Sequence, residues 1–164
     1  MKVWIITDTH LGHKKLIEWG RPVDFEQQIT SSLRREVKSE DLLIHLGDVA
    51  IGHDEENNLL ITSVPCKKIL VKGNHDSKSN SWYLGHGWDF VCHSFMDVLW
   101  GKRVKFAHAP EPIEEDIDLQ LHGHSHGDAH RDEEFCPFYS PEYHKEVALE
   151  KTGYRPILLE SLLK

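Results

Sequence analysis

Three histidines stand within five residues in the segment LHGHSHG, at His122, His124 and His126. Soluble chains seldom gather so many imidazoles for packing alone, and imidazole is the commonest protein ligand for metals. The segment therefore indicates a metal site, provided that the rest of the chain supplies partners. His124 and His126 are predicted to be ligands, whereas His122 fits equally well as a residue that orients a ligand or as a core histidine.

Further polar residues of the same chemical kind each follow an apolar run that is typical of a strand. In chain order they are Asp8 and His10 after residues 2–7, Asp48 after 41–46, Asn74 and His75 after 67–72, His108 at the end of 103–108, and His124 and His126 after 118–121. Because open α/β sheets bind ligands at the carboxyl ends of their strands, we expect these residues to converge on one edge. Oxygen and imidazole donors without thiolate suit manganese, iron, zinc or nickel better than calcium. Each of these motifs occurs by chance in many proteins, but the ordered set, with each member at the end of its own strand, is a much more specific indication of a metal site.

The first half of the chain alternates strand-like and helical segments. Strands are predicted over residues 2–7, 41–46 and 67–72, an amphipathic helix over 25–38, and a second helical stretch that ends near Pro65. Such alternation favours parallel pairing of the strands.

The second half has a different pattern. The runs at 90–100 and 103–108, separated by a Gly-Lys pair, predict a hairpin or meander, and residues 118–123 predict another strand. Residues 111–118 form an acidic loop, and the C-terminal region predicts a strand, a turn and a short amphipathic end. Parallel strands followed by antiparallel ones predict two sheets packed together, with helices outside.

Composition limits the classes of function. At 164 residues with a net charge of −8, the chain lacks the basic surface that proteins need to follow an extended duplex. It contains no apolar run of membrane-spanning length and no signal peptide, so we expect no membrane association and a cytoplasmic location. Its three cysteines form no CxxC pair and are predicted to be reduced. The tryptophans are predicted to be core residues and not surfaces for base stacking.

The order D-x-H, G-D, G-N-H-D, H and G-H-x-H resembles the calcineurin-like metallophosphoesterase family. The likeness runs from Asp8 to His126. The stretch GHKKLIEWGRP (12–22), the form LHGHSHG and the tail YRPILLESL are similar to the small single-domain bacterial and phage members. One departure is the setting of His108 in AHAP, where relatives often have Ser or Gly before the histidine and Tyr after it.

The resemblance implies a four-layer αββα sandwich of two mixed sheets, formed by one domain over residues 1–164 without a cap domain. It also implies two divalent metal ions, manganese first, with iron, zinc or nickel as alternatives. The first ion would be held by Asp8, His10, Asp48 and His126, and the second by Asp48 as the bridge, Asn74, His108 and His124. His75 is similar to the family's histidine beside the scissile phosphate, which is not a ligand. Asp76 is expected to fix its loop through backbone hydrogen bonds.

The implied chemistry is attack of a metal-bridging hydroxide on a phosphate ester, with His75 assisting the leaving group. Two carboxylates and a hydroxide against two divalent ions leave a net charge of about +1, which favours a phosphodiester monoanion over a dianionic monoester. We therefore expect a small nucleotide-like or cyclic diester as substrate. His13 and Arg21 follow the first ligands and are candidate substrate contacts.

Three alternatives remain at this point. The first is a metal-dependent nuclease acting on nucleic-acid ends or single strands, and the second is a non-catalytic metal-binding interaction scaffold. The third is a histidine-rich metal buffer, which the dispersal of ligands over several strand ends argues against. The oligomeric state is left open by the sequence.

Overall fold

The computed structural model describes residues 1–128, 136–137 and 139–163. Its elements, in chain order, are β1 (Val3–Ile6), α1 (Lys15–Glu18), α2 (Phe25–Glu36), β2 (Leu42–His45), α3 (Asp54–Thr62), β3 (Lys67–Val71), α4 (Asn80–Gly85), β4 (Phe90–Cys92), β5 (Ser94–Leu99), β6 (Lys102–Ala107), β7 (Leu119–His122), β8 (His144–Glu146), α5 (Leu149–Thr152), β9 (Ile157–Leu158) and α6 (Leu159–Leu163). Among these elements, no helix combines the length and the apolar character that crossing a membrane requires.

The strands form two mixed sheets, as predicted. In the first sheet the order is β4-β3-β2-β1-β9, with β1 to β4 mutually parallel and β9 antiparallel to β1. In the second sheet the order is β5-β6-β7-β8, with β5 antiparallel to β6 and the other neighbours parallel. The predicted α/β class with two packed sheets is confirmed.

Alternate residues of β1 supply the two layers of the core. Trp4 and Ile6 belong to a cluster that includes Phe25 and Ile29 of α2, so this face of the first sheet packs on helices. Ile5 belongs to a second cluster that joins the two sheets. Because both faces of this strand are covered, it is apolar without alternation, as is usual for central parallel strands.

The outer face of the second sheet is covered differently. The Gln120 side chain donates to the carbonyl of Ala109 and accepts from the Glu111 N–H, and Tyr143 Oη accepts from the Glu114 N–H. Within the described residues, this cover therefore includes the segment around 109–118 and Tyr143.

Two details of the predicted strand pattern are wrong. The run at 90–100 is not one strand: β4 pairs with β3 in the first sheet, β5 pairs with β6 in the second, and His93 lies between them. The strands after β5 were expected to be antiparallel, but β6, β7 and β8 are parallel to one another. An apolar run reports that a strand is buried but carries no information about which sheet it enters.

The ends of neighbouring strands are tied together by backbone hydrogen bonds. The Asp8 N–H donates to the Gly47 carbonyl at 2.9 Å, and the Gly123 N–H donates to the His108 carbonyl at 2.8 Å. These bonds link the segments after β1 and β2, and those after β6 and β7. The His124 N–H after β7 donates to Asp8 Oδ2 after β1 at 2.9 Å, so the carboxyl ends of both sheets present their following loops to a common region.

Asp41 connects three segments at the opposite end of the first sheet. Its Oδ1 accepts from the Lys2 N–H at 2.8 Å, and its Oδ2 accepts from Trp4 Nε1 and from the Lys38 N–H, both at 3.1 Å. These hydrogen bonds, led by that from Lys2, lower the pKa of Asp41 below its ordinary value of 3.8.

We expect Asp41→Asn to lower the free energy of unfolding by about 1–3 kcal/mol at pH 7, because an amide cannot accept on both sides. A lowered carboxyl pKa stabilises the fold fully above pH 3.8, and the stabilisation is lost as the pH falls through the folded-state value. Urea unfolding at several pH values from 7 down to 3 should therefore show that the difference in the free energy of unfolding between wild type and variant becomes smaller in acid. Asp116→Asn, at an exposed loop position, is the control, and an equal effect in both variants would contradict the prediction.

Candidate metal centre

The structure brings the seven predicted ligands together at the carboxyl ends of the strands. They follow β1 (Asp8, His10), β2 (Asp48), β3 (Asn74), β6 (His108) and β7 (His124, His126). Two sets of potential metal-binding residues result, one of Asp8, His10 and His126 and the other of Asp48, His108 and His124. Five of the seven, His10, Asp48, Asn74, His124 and His126, line an open cavity of about 360 Å³.

The first set is compact. His10 Nε2 lies 3.2 Å from His126 Nε2 and 3.8 Å from Asp8 Oδ1, and His126 Nε2 lies 3.7 Å from the same Asp8 oxygen. Ligand atoms bound about 2.0–2.2 Å from one ion are roughly 3 Å apart when adjacent. The spacing therefore suits a shared cation.

The second set has the same spacing and includes the predicted amide ligand. His108 Nε2 lies 3.0 Å from Asn74 Oδ1, 3.1 Å from His124 Nδ1 and 3.4 Å from Asp48 Oδ2. The same Asp48 oxygen lies 3.6 Å from His10 Nε2 of the first set. Asp48 thus stands between the two sets, where a carboxylate that bridges two ions is required.

Asp8 provides an independent test of whether a cation fits. Its Oδ2 accepts from Thr7 Oγ1 at 2.6 Å and from the His124 N–H at 2.9 Å, but its Oδ1 is buried and has no hydrogen-bond partner. Burial raises the pKa of this carboxyl. An unsatisfied buried carboxylate oxygen is costly, and a bound metal ion would remove that cost. The donor set therefore fits a pair of divalent ions.

In the second set, a carboxylate and an imidazole compensate each other's charge. Burial by itself would raise the pKa of Asp48, but the hydrogen bond and charge of His108 hold it well below its usual range. The two carboxylates correspondingly raise the pKa of His108 against the effect of burial. His10, in contrast, has its pKa lowered to about 2 by burial, so its imidazole is neutral and able to bind a metal.

Several hydrogen bonds orient the ligand side chains. His108 Nδ1 lies 2.8 Å from the Leu46 carbonyl and donates to it, which turns Nε2 toward Asp48. The Asp76 carboxylate accepts from the N–H groups of Asp48, Val49 and Gly73, as expected for a residue that fixes its loop. Such partners set ligand geometry and metal affinity.

Glu150 was not singled out by the sequence, yet it lies beside a ligand. Its Oε1 is 3.2 Å from His126 Nδ1 and 2.8 Å from the guanidinium of Arg21. Arg21 also donates to the carbonyl of Asp8 at 2.9 Å. Glu150 belongs to α5, far from the ligand motifs in sequence and in a segment with no motif of its own, so no local pattern could have identified it.

The backbone at the site is strained. Five of the seven predicted ligands have positive φ, namely Asp8 (48°), His10 (44°), Asp48 (58°), His124 (76°) and His126 (55°). Residues other than glycine adopt this conformation rarely and at a cost of about 1–3 kcal/mol each. Strain concentrated on these residues indicates that the loops are shaped for the side chains they present.

The remaining predicted residues surround the cavity. His75 is half-exposed, with Nε2 3.9 Å from Asp48 Oδ2 and its ring 5.3 Å from that of His10. His13 and Arg21 also line the cavity, but the guanidinium of Arg21 is engaged by Glu150, by the backbone and by His126 Nδ1, which lies 3.0 Å from it. The predicted contact of these two residues with substrate stays a prediction.

Two other sequence expectations bear on the site. His122 is fully buried, with Nδ1 2.9 Å from the Gly123 carbonyl, and burial lowers its pKa to about 4. It lies outside both sets of potential ligands. Trp19 and Trp100 were predicted to be core residues, and this is wrong because their side chains are 70% and 60% exposed.

Paired Asp, His and Asn donors at the common edge of two packed mixed sheets define the metallophosphoesterase class of fold and site. A model of the calcineurin-like phosphoesterase family matches residues 1–110, and the chain belongs to that family. The matched segment contains five of the seven predicted ligands and His75, whereas His124 and His126 lie beyond it.

Two relatives span nearly the whole chain. The uncharacterized protein MJ1445 of Methanocaldococcus jannaschii is 24% identical, with 99% of this chain and 90% of that protein covered. The crystal structure of the protein of unknown function AQ665 from Aquifex aeolicus has a TM-score of 0.79 and 27% identity, covering 98% of this chain and 97% of that one. A nuclease of Pseudomonas putida, MPE, is more distant, with a TM-score of 0.49, 20% identity and coverage of 76% and 61%.

Gly123 allows a test of the first set of ligands. A Cβ at this position would overlap Asp8 Oδ2 and Thr7 Oγ1, so Gly123→Ala must displace the Asp8 carboxylate. We expect the affinity for manganese at the first set to fall by about 10- to 100-fold, the effect typical of disturbed ligand orientation. Gly85→Ala is the matched control, because a Cβ there would meet nothing within 4 Å. Calorimetric titration of metal-stripped protein would contradict the prediction if both variants bound two ions like the wild type.

Proposed function

We propose that this protein is a phosphodiesterase that hydrolyses small nucleotide-like or cyclic phosphodiesters with two bound manganese ions. Membership of the phosphoesterase family and the two sets of potential ligands support a metal-dependent reaction at this site. Two divalent ions would lower the pKa of a water molecule and polarise the phosphoryl oxygens. We place this activity in the cytoplasm, where the free cysteines Cys66, Cys92 and Cys136 would stay reduced.

The preference for diesters is inferred from the ion pair of Arg21 with Glu150, which leaves Arg21 unable to neutralise a second phosphate charge. Apart from histidines, Arg21 is the one basic side chain among the described residues that line the cavity, and it is paired with Glu150 at 2.8 Å. The charges of Arg21 and Glu150 cancel, so this pair does not change the net charge of about +1 expected at the two metal ions. Asp76, behind Asp48, is compensated by three backbone N–H groups, and Asp128 at the cavity is exposed to screening solvent. A dianionic monoester would need a further free cation, whereas a monoanionic diester would not.

His75 is positioned to act on the leaving group. Its backbone N–H donates to Asp48 Oδ1 at 2.9 Å, which fixes the residue beside the proposed bridging carboxylate. Its side chain is nevertheless 47% exposed and lines the cavity, so the imidazole can reach a bound ester. As imidazolium it would donate a proton to the departing alkoxide, and it would then be restored by solvent.

The first test is hydrolysis of bis-p-nitrophenyl phosphate and p-nitrophenyl phosphate by metal-stripped protein, with manganese added back. We expect turnover of the diester that depends on manganese and exceeds turnover of the monoester by at least about tenfold. Asp48→Asn should lose at least about 100-fold in kcat/KM, because it removes the carboxylate shared by both sets of ligands. Preferential turnover of the monoester would overturn the diester assignment. Cleavage of single-stranded DNA without turnover of small diesters would favour a nuclease, and two bound ions without any turnover would favour an interaction scaffold.

The role of His75 is tested by varying the leaving group. We expect His75→Ala to keep both metal ions and to lose about 10²- to 10⁴-fold in kcat on a dinucleoside monophosphate, which needs protonation of an alkoxide. On bis-p-nitrophenyl phosphate the loss should stay below about tenfold, because p-nitrophenolate leaves without a proton. His93→Ala, at an exposed position between β4 and β5, is the control. Equal losses on both substrates would show that His75 is not the general acid.

A further inference from the structure

An uncovered indole stands at the mouth of the cavity. Trp19 is 70% exposed and lines the same cavity as the proposed metal ligands, whereas Trp4 and Trp88 are buried in the core. Trp100 is exposed to a similar degree but lies in the turn between β5 and β6, and it is not among the residues that line this cavity. Indole gains much from burial, so its exposure beside a reactive site indicates a surface for a ligand.

The backbone holds Trp19 in this position. After α1, the N–H groups of Trp19 and Arg21 both donate to the Leu16 carbonyl, at 3.2 and 2.9 Å, and the Gly20 N–H donates to that of Ile17 at 3.2 Å. Gly20 has φ of +108°, a conformation that favours glycine, and here the chain reverses. Arg21 is consequently buried at 5% exposure while its neighbour Trp19 faces outward. The indole is thus carried by a closed turn and not by a free loop.

His13 connects the indole with the proposed metal ligands. Its ring makes an edge contact with Trp19 at 5.7 Å between centroids, and its centroid lies 5.9 Å from that of His10. The His13 ring therefore lies between the imidazole of the proposed ligand His10 and the indole of Trp19. Since the Arg21 guanidinium is held by Glu150 and the Asp8 carbonyl, this wall offers aromatic surface and not a fixed positive charge.

We propose that Trp19, supported by His13, stacks on the nucleobase of a nucleoside phosphate whose phosphate lies at the metal ligands. The proposal rests on the proposed function for the position of the phosphate, and it makes the substrate a nucleoside ester. A neutral stacking surface fits the acidic chain better than a polyanion track would, because stacking requires no positive charge. Trp19 is a specificity-determining residue and takes no part in the bond-breaking step.

Binding of two monoanionic esters that differ only in the base tests the stacking surface. Equilibrium dialysis of manganese-loaded protein against the 5′-methylphosphonate esters of adenosine and of ribose, which carry the single charge of a diester, should show tighter binding of the adenosine ester by about 5- to 150-fold, the range of one base–aromatic stack. Trp19→Ala should remove this margin and leave the affinity for the ribose ester unchanged. Trp19→Phe should keep most of the margin, and Trp100→Ala, the matched exposed tryptophan, should keep all of it.

The outcomes separate this proposal from the proposed function. Equal affinity of the wild type for both ligands, or no binding of either, overturns the stacking surface even if diesters are hydrolysed. The stacking surface is also overturned if the difference in affinity between the two ligands persists in Trp19→Ala, or if Trp100→Ala abolishes it to the same extent. A margin that depends on Trp19, in a protein that hydrolyses no diester, supports the stacking surface and rejects the phosphodiesterase.

Discussion

The burial of two carboxylates beside each other is the constraint on which this structure depends. Asp8 and Asp48 are only 1% and 2% exposed, and each lies within 4 Å of the His10 imidazole. Two desolvated negative charges in one place are unfavourable unless hydrogen bonds and positive charge compensate them. Backbone N–H groups and a neighbouring hydroxyl satisfy two of their four oxygens, and Asp48 Oδ2 lies 3.4 Å from His108 Nε2, but Asp8 Oδ1 has no hydrogen-bond partner. The centre is therefore built for cations, and its loops are organised around holding those ligands in place.

That requirement explains local features which would otherwise be weaknesses of the fold. The ligand loops contain residues with positive φ, and they approach one another so closely that side chains are excluded at certain positions. A Cβ at Gly73 would overlap Asp48 Oδ1, and one at Gly123 would overlap Asp8 Oδ2. The cost of these conformations is offset by buried hydrogen bonds, of which those accepted by Asp76 from three N–H groups are the most concentrated. Rigid loops of this kind hold ligand atoms near the positions that binding requires.

The C-terminal part of the chain contributes to the charge of the cavity. Glu150 in α5 meets Arg21 from the loop after α1 and His126 from the loop after β7. One carboxylate thus orients a proposed ligand and occupies the guanidinium that could otherwise have bound a phosphate. The consequence is a cavity whose wall toward Trp19 is aromatic and largely neutral, which connects the preference for a monoanionic ester with the proposed recognition of a base.

The sequence by itself determined the class of fold and the identity of the candidate ligands. Asp8, Asp48 and Asn74 each follow an apolar strand, and because parallel strands end at one edge, their convergence follows from local pattern alone. What the sequence could not determine depends on contacts between distant segments. The division of residues 90–100 between two sheets, the meeting of Glu150 with Arg21 and the exposure of Trp19 were decided by tertiary structure. Periodicity records whether a residue is suited to burial, but only packing decides which neighbour covers it and which side chain is left facing the cavity.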